Sequence, residues 1–408
     1  MENIFISDIT IENVRHLKNI TIPLSDKEKK HLIFTGKNGS GKTSVLEAMS
    51  DYLNIRITSE ETADIFRRLS SLQDPQTGQD EIRWIKYQEE ELEKTGATKT
   101  GVKLRFNHQE DLLRDCFGEG EFILAFYKAE RTFHAYQPNH IEKVELKGIY
   151  TMEETPRQEF IKYLADLKVT EALAKSNGKH EKADAITLWF AEFQDLLRRI
   201  FDDPSLELIF EEDTFSFSIK EKNREAFDFN TLASGFAAAL DIILDVMIRM
   251  QKNKGRTFNF DMPGIVLIDE IETHLHLELQ KKILDLLTTL FPNIQFIMST
   301  HSPFILNSLQ NAVIYDLEKR MIAKDGLADI PYSGIVEGYF QSSELSYSLK
   351  EKYERYKMLT QKQELSDDDF EEIAELEMYL NEIPDYLALG ITTEYQRIKM
   401  EFENREDL

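Results

Sequence analysis

One cysteine, Cys116, occurs in 408 residues. That excludes an intrachain disulfide and any cysteine-rich zinc site, and it is the usage of a reducing compartment. Cys116 itself reads as a buried structural thiol. Long apolar runs are missing too. Nothing approaches the ~18 residues that a membrane span requires. The opening Met1-Glu2-Asn3 leads into no basic stretch, apolar core and small-residue cleavage site. No membrane contact is expected, and a cytoplasmic location is. Basic residues are scarce beside acidic ones, 49 Lys and Arg against 74 Asp and Glu, for a formal net charge of -25. A mean field of that sign repels phosphate backbones, so nucleic-acid binding by the whole surface is disfavoured while a local basic patch stays allowed.

What is present belongs to a globular protein: 41% hydrophobic and 30% charged residues, in a chain long enough for one large domain with insertions or for two ordinary ones. Ile4 to Ile11, Ile20 to Leu24 and Leu32 to Thr35 read as strands, and they lead into a glycine loop. Strand patterns return at Val102 to Phe106, Phe122 to Tyr127, Leu206 to Phe210, Thr214 to Ile219 and Val313 to Tyr315. Ile186, Trp189, Phe190, Phe193, Leu196, Leu197 and Ile200 recur at helical spacing, a stripe whose plain reading is core packing. Helices are expected again near Leu345 to Leu359 and Phe370 to Leu380. There, Ser366 with Asp369 resembles a capping box carrying Asp in place of the usual Glu.

The chemistry concentrates in four places. Gly36-Lys37-Asn38-Gly39-Ser40-Gly41-Lys42-Thr43 matches GxxxxGK[ST] between an apolar strand and a helix. Glycines let backbone N–H groups turn toward phosphate oxygens at a helix N-terminus, with Ser44 in the first turn. Lys42 would reach the β- and γ-phosphates, and the Thr43 hydroxyl would bind Mg²⁺. Ile265 to Ile268 is a buried-strand pattern ending in Asp269-Glu270, where Asp269 suits Mg²⁺ and Glu270 suits a general base for an attacking water. A further apolar strand, Ile294 to Met298, ends in Ser299-Thr300-His301-Ser302, which puts His301 in the crevice where open α/β sheets bind ligands. Finally, Leu232-Ala233-Ser234-Gly235-Phe236 opens a helix. Ser234 is either its N-cap or, with Gly235, a second helix N-terminus offered to a phosphate. One chain cannot easily bring both helix ends to one nucleotide, whereas a dimer can.

In this order, glycine loop, Ser-Gly helix start, carboxylate pair, histidine, the chain resembles ATP-binding-cassette ATPases of the RecF, Rad50 and OLD kind. Asn38 and Gly39 fit that family's GxNGxGK[ST] loop and argue against AAA+ motors and small kinases. Ile11 to Arg15 looks like its N-terminal strand, which makes Arg15 a nucleotide-binding candidate. Leu232 to Phe236 looks like a degenerate signature loop, with Phe236 where Gln or Glu is usual. Asp269 to His276 resembles the carboxylate pair and the dimer-facing loop, with Leu277 where OLD-like members often have Pro. Ala129-Glu130-Arg131 resembles a segment near the nucleotide, and Gln137 is a candidate for the Q-loop glutamine.

The resemblance implies an α/β ATPase head in which a P-loop sheet carries an antiparallel N-terminal lobe. The head would occupy residues 1–318, with helical insertions at about 55–100 and 150–202, followed by a helical region over 319–408. It implies ATP and Mg²⁺ as ligands and a homodimer closed by an ATP sandwich, with larger assemblies left open. The compact layout is similar to ATPases of the Septu, retron-associated and PARIS phage-defence systems. No Toprim-type acidic constellation lies between Ala312 and Leu408, so a separate effector, a nuclease or toxin, is the expected partner. The alternative is a RecF- or Rad50-like DNA-binding ATPase in repair.

Overall fold

A computed structural model describes residues 4–58, 100–131, 134–136, 143–222, 224–254, 257–328, 330, 347–362, 364–381 and 389–405, with positions 83, 87, 334 and 335. Two units are distinguished, 1–330 and 331–408.

The first unit is built on a six-stranded sheet. Its strands are β3 (His31–Thr35), β5 (Ile123–Tyr127), β9 (Gly264–Ile268), β10 (Ile294–Ser299), β11 (Ala312–Asp316) and β12 (Met321–Ala323), in the order β12-β11-β3-β10-β9-β5. All pairings are parallel except that of β12 with β11, which carries the sheet past position 318. Every residue of β3, β9, β10 and β11 is buried, which is why these segments read as unbroken apolar runs rather than alternating ones. The strand before the glycine loop, the Asp269 strand and the Ile294 strand lie side by side, as expected.

An antiparallel lobe, β2 (Leu17–Pro23), β1 (Ile6–Val14) and β4 (Val102–Phe106), packs on this sheet through α1 (Lys42–Leu53), a core shared by Ile9, Ile11, Leu46, Leu53, Leu104, Leu267 and Ile297. A π-turn at Asn54–Thr58 extends α1, and positions 59–82, 84–86 and 88–99 of the first insertion lie outside the described residues. Within α2 (Glu110–Gly118), Cys116 is half-buried at the margin of this core, not fully enclosed. The second insertion is a 3₁₀ turn at Pro156–Glu159, then α3 (Phe160–Ser176) and α4 (His180–Phe201). The aromatic stripe of α4 packs in both directions: Phe193 lies 5.3 Å from Phe160 of α3. Phe190 stacks 6.0 Å from Phe217 in the small sheet β6 (Glu207–Glu211), β7 (Ser216–Lys220), β8 (Phe227–Asp228). α5 (Ser234–Lys254), α6 (Leu277–Leu290) and a short helical turn, α7 (Pro303–Leu306), complete the unit.

The second unit contains α8 (Tyr347–Thr360), α9 (Asp367–Asn381) and α10 (Leu389–Glu403) around Tyr356, Leu359, Ile373, Leu380 and Tyr395. The capping box is reciprocal: Asp369 N–H donates to Ser366 Oγ at 3.3 Å, and Ser366 N–H donates to the Asp369 carboxylate at 2.9 Å.

Two buried polar side chains tie strands together, Gln295 between the two sheets and His31 within the main one. Gln295 of β10 is fully buried; its Oε1 accepts from Ile6 N–H at 2.8 Å, and its Nε2 donates to the carbonyls of Ile6 and Lys30 at 2.9 and 2.8 Å. Gln295→Leu would strand both backbone groups of Ile6 in the core and is expected to cost about 2–4 kcal/mol by chemical denaturation. A loss below about 0.5 kcal/mol would contradict this role. His31 Nδ1 accepts from Phe296 N–H at 3.0 Å, and burial, with Lys29 nearby, lowers its pKa to about 3. The folded state refuses a proton that the unfolded chain accepts below about 6.5. Stability is therefore fully present above pH 6.5 and falls as pH drops toward 3, by up to about 1.4 kcal/mol per unit. His31→Asn should flatten that part of the stability-versus-pH curve, and an unchanged slope would refute the assignment.

Candidate nucleotide site

The glycine loop joins β3 to α1 at the carboxyl edge of the parallel sheet. Gly41 is the N-cap of α1 at φ 98, and a Cβ there would meet Leu17 Cδ1 at 2.9 Å, so only glycine serves. The same contact brings the β1–β2 turn, with exposed Arg15 at φ 53, against the loop. The start of α1 has no side-chain cap and no acidic residue in its first turn. Two hydroxyls beside it, Thr35 Oγ1 and Ser40 Oγ, are buried without a hydrogen-bond partner. Around Gly39 there is open space where a Cβ would sit. An uncapped helix start, two orphaned hydroxyls and a first turn without an acidic residue fit an anion the size of a phosphate.

Lys42 is buried, and its Nζ donates to the loop's own carbonyls, Gly36 O at 2.9 Å and Lys37 O at 3.2 Å. Burial lowers its pKa, against the opposing pull of Glu270, Asp269, Glu272 and Asp316. Four carboxylates thus act electrostatically on one ammonium. Asn38 and Thr43 are exposed, and Ser44 is buried. Lys37 and Glu318 form an ion pair at 3.0 Å that pins the outer rim.

Asp269 and Glu270 follow β9, and the end of β10 organises them. Ser299 Oγ donates to Asp269 Oδ1 at 2.6 Å and accepts from Glu270 N–H at 2.8 Å. Glu272 does the same for the next turn: its carboxylate accepts from Thr300 Oγ1 at 2.7 Å and from His301 N–H at 2.5 Å. His301 is half-buried, and burial, then the Lys42 charge, lowers its pKa, so the ring is neutral near pH 7. Lys42, Asp269, Glu270 and His301 are therefore gathered at the ends of three neighbouring strands.

Ser234 is exposed elsewhere on the chain, and Gly235 is buried beside it, against the loop after the carboxylate pair. α5 begins at Ser234, and the first helical carbonyl to accept is that of Ala233, at 3.0 Å from Ala237 N–H. Ser234 is thus the exposed first helical residue rather than the cap. Phe236 points inward, stacked on Phe201 at 4.2 Å and edge-on to His276 at 6.2 Å.

Glu272, Ser299 and Glu318 escaped sequence reasoning because each acts by hydrogen bonding across a strand boundary. The one available signal was polar residues crowded just beyond two apolar runs. Arg131 was noticed only through its segment. Gln137 lies outside the described residues.

The family model described as "AAA ATPase domain" matches residues 5–117, and that described as "AAA domain, putative AbiEii toxin, Type IV TA system" matches residues 152–307. Over 417 residues the chain is 25% identical to the Septu protein PtuA of Bacillus mycoides (strain KBAB4), covering 96% of this chain and 52% of that one. It is 33% identical over 126 residues to "Retron Ec83 probable ATPase" of Escherichia coli, 30% of this chain and 23% of that one. It is 46% identical over 50 residues to the DNA replication and repair protein RecF of Rickettsia prowazekii, 12% and 13% of the two chains. The chain spans about half the length of the PtuA relative, at 52%. Among the described residues no helix is long and apolar enough to cross a membrane.

Gly235 supplies a direct check of the packing. A Cβ there would sit 2.9 Å from His274 O and 2.8 Å from His276 Cδ2. In an unencumbered helix Gly→Ala gains up to about 1 kcal/mol. Here Gly235→Ala should lower the thermal midpoint instead. A raised midpoint would show that the His274–His276 loop yields freely and that the contact is not a constraint.

Proposed function

As a relative of the Septu and retron-associated ATPases with its site at the edge of a P-loop sheet, this chain is, we propose, an ATP-hydrolysing switch of the ATP-binding-cassette type. It works as a nucleotide-sandwiched homodimer and controls a separate effector, such as a nuclease, in an anti-phage defence system. The observation that carries the reading is the convergence of Lys42, Asp269, Glu270 and His301 around an uncapped helix N-terminus, with Ser234 exposed at the start of a second helix.

In this reading the N–H groups of Gly39, Ser40, Gly41 and Lys42 hold the ATP phosphates, Ser40 N–H giving up Lys37 O, and Lys42 exchanges its two loop carbonyls for phosphate oxygens. Thr43 and Asp269 would hold Mg²⁺, which offsets charge on the phosphates. Glu270 orients the attacking water and removes its proton as the water oxygen bonds to the γ-phosphorus and the bond to the β-phosphate oxygen breaks. Neutral His301 donates a hydrogen bond to the γ-phosphate. Ser234 and Gly235 of the partner protomer close the site from the far side, so that each complete site needs two chains. Closure and release of that dimer are the movement an effector would sense. The -25 charge disfavours the RecF-like alternative, and ATPase stimulation by DNA is the measurement that would bring it back.

Glu270→Gln keeps the side chain's size but removes the base. Turnover should fall roughly 100-fold or more while ATP-dependent dimers persist by light scattering. Ser234→Arg puts bulk and charge at the docking surface and should abolish turnover while nucleotide still binds. Mixed together, the two variants form heterodimers with one doubly damaged site and one intact site, and part of the activity should return. A mixture that stays inactive despite verified heterodimers would remove the sandwich mechanism.

A further inference from the structure

Glu270 sits at φ 45, in the left-handed region that residues with a side chain seldom occupy. Such a conformation persists only where its surroundings over-determine it. On one side the restraint is Ser299 Oγ, which accepts Glu270 N–H at 2.8 Å. On the other it is Arg131, four residues beyond β5. Arg131 NH1 donates to Asp269 O at 2.8 Å and Lys128 O at 3.1 Å; NH2 donates to Glu270 O at 2.9 Å and Ile271 O at 3.4 Å.

The terminal nitrogens of this buried arginine are spent on main-chain carbonyls rather than on a carboxylate. The charge they carry is balanced at a distance: Asp241 leads the carboxylates that support it against burial, followed by Glu272, Asp269 and Glu270. The fork ties the loop after β5 to three consecutive carbonyls after β9. Through those carbonyls it fixes the direction in which the Glu270 side chain leaves the backbone. A lysine has one nitrogen where arginine has a planar fork, and it cannot span the same carbonyls.

We infer that Arg131 is a positioning residue for hydrolysis: it holds the backbone of Asp269, Glu270 and Ile271 so that the Glu270 carboxylate is presented to the attacking water, and it does not itself touch ATP. This rests on Glu270 being the base. Misplacement of a catalytic group by about 1 Å costs on the order of 100-fold, which sets the scale of the effect.

A neighbouring cavity makes the idea testable by chemistry as well as by substitution. It has a volume of about 560 Å³ and is lined by Lys128, Arg131, Thr155, Arg157 and Asp241, among others. Removing the Arg131 side chain would open the fork's position to small cations entering from that cavity.

The experiment measures kcat, KM and nucleotide affinity of the full chain. Arg131→Ala should lower kcat roughly 10- to 100-fold, with KM and nucleotide affinity changed less than about twofold. Millimolar guanidinium chloride should restore part of kcat to Arg131→Ala and none to Glu270→Gln. With Glu270 already replaced by Gln, adding Arg131→Ala should cause little further loss, because the residue acts through Glu270. If Arg131→Ala does not fold, Arg131→Lys carries the same expectations for kcat and for the cycle. Wild-type kcat in the Arg131 variant, or losses that multiply in the double variant, would overturn the inference and leave Glu270 as the base. Wild-type turnover by Glu270→Gln would instead overturn the reading on which the inference rests.

Discussion

Asp269 is almost fully buried and Glu270 follows it immediately, so two like charges stand at the end of a buried strand. Charges in that position are tolerated only if hydrogen-bonded. The rest of the site depends on how the chain meets this demand without neutralising the pair by a direct ion pair. Ser299 bridges both residues from the neighbouring strand, and Arg131 takes the carbonyls behind them. Thr273 Oγ1 donates to Glu270 Oε2 at 3.2 Å, and Lys42 supplies opposing charge nearby. Because Glu272 ties Thr300 and His301 to the same turn, the ends of β9 and β10 behave as one piece.

The glycine loop meets that piece with the opposite kind of incompleteness. Its helix N-terminus has no side-chain cap, two of the nearby hydroxyls are orphaned, and its lysine is parked on the loop's own carbonyls. Unmet donors on one side and partly met acceptors on the other define a gap that a phosphate bridged by a divalent cation would close. The antiparallel lobe holds the two sides in register, since Leu17 seals the loop against β2 and Gln295 fastens β1 to the core of the main sheet.

Much of this was legible in the sequence, because buried parallel strands leave continuous apolar runs and phosphate loops demand glycine at fixed spacing. Leu32 to Thr35, Ile265 to Ile268 and Ile294 to Met298 declared themselves that way, and the residues that follow each run are the ones the sheet gathers. Gln295 was illegible, since a polar residue inside a strand says nothing of the backbone it satisfies 289 positions away. Phe236 read as a departure from the signature loop, standing where Gln or Glu is usual. Its ring stacks on Phe201, so what the substitution changes within the chain is packing. Ser234 suited a cap by residue type, yet Ala233 provides the first helical carbonyl and the serine is exposed. Such outcomes depend on which neighbour the fold delivers, and local pattern carries no record of that.

In the proposed function a complete site needs two chains. That requirement is tested most directly by the rate of phosphate release per mole of protein, followed from well below to well above the dimer dissociation constant at saturating ATP. Specific activity should vanish on dilution and rise to a plateau as dimers form, in step with mass measured on the same samples. A specific activity independent of protein concentration, in samples shown to be monomeric, would contradict it.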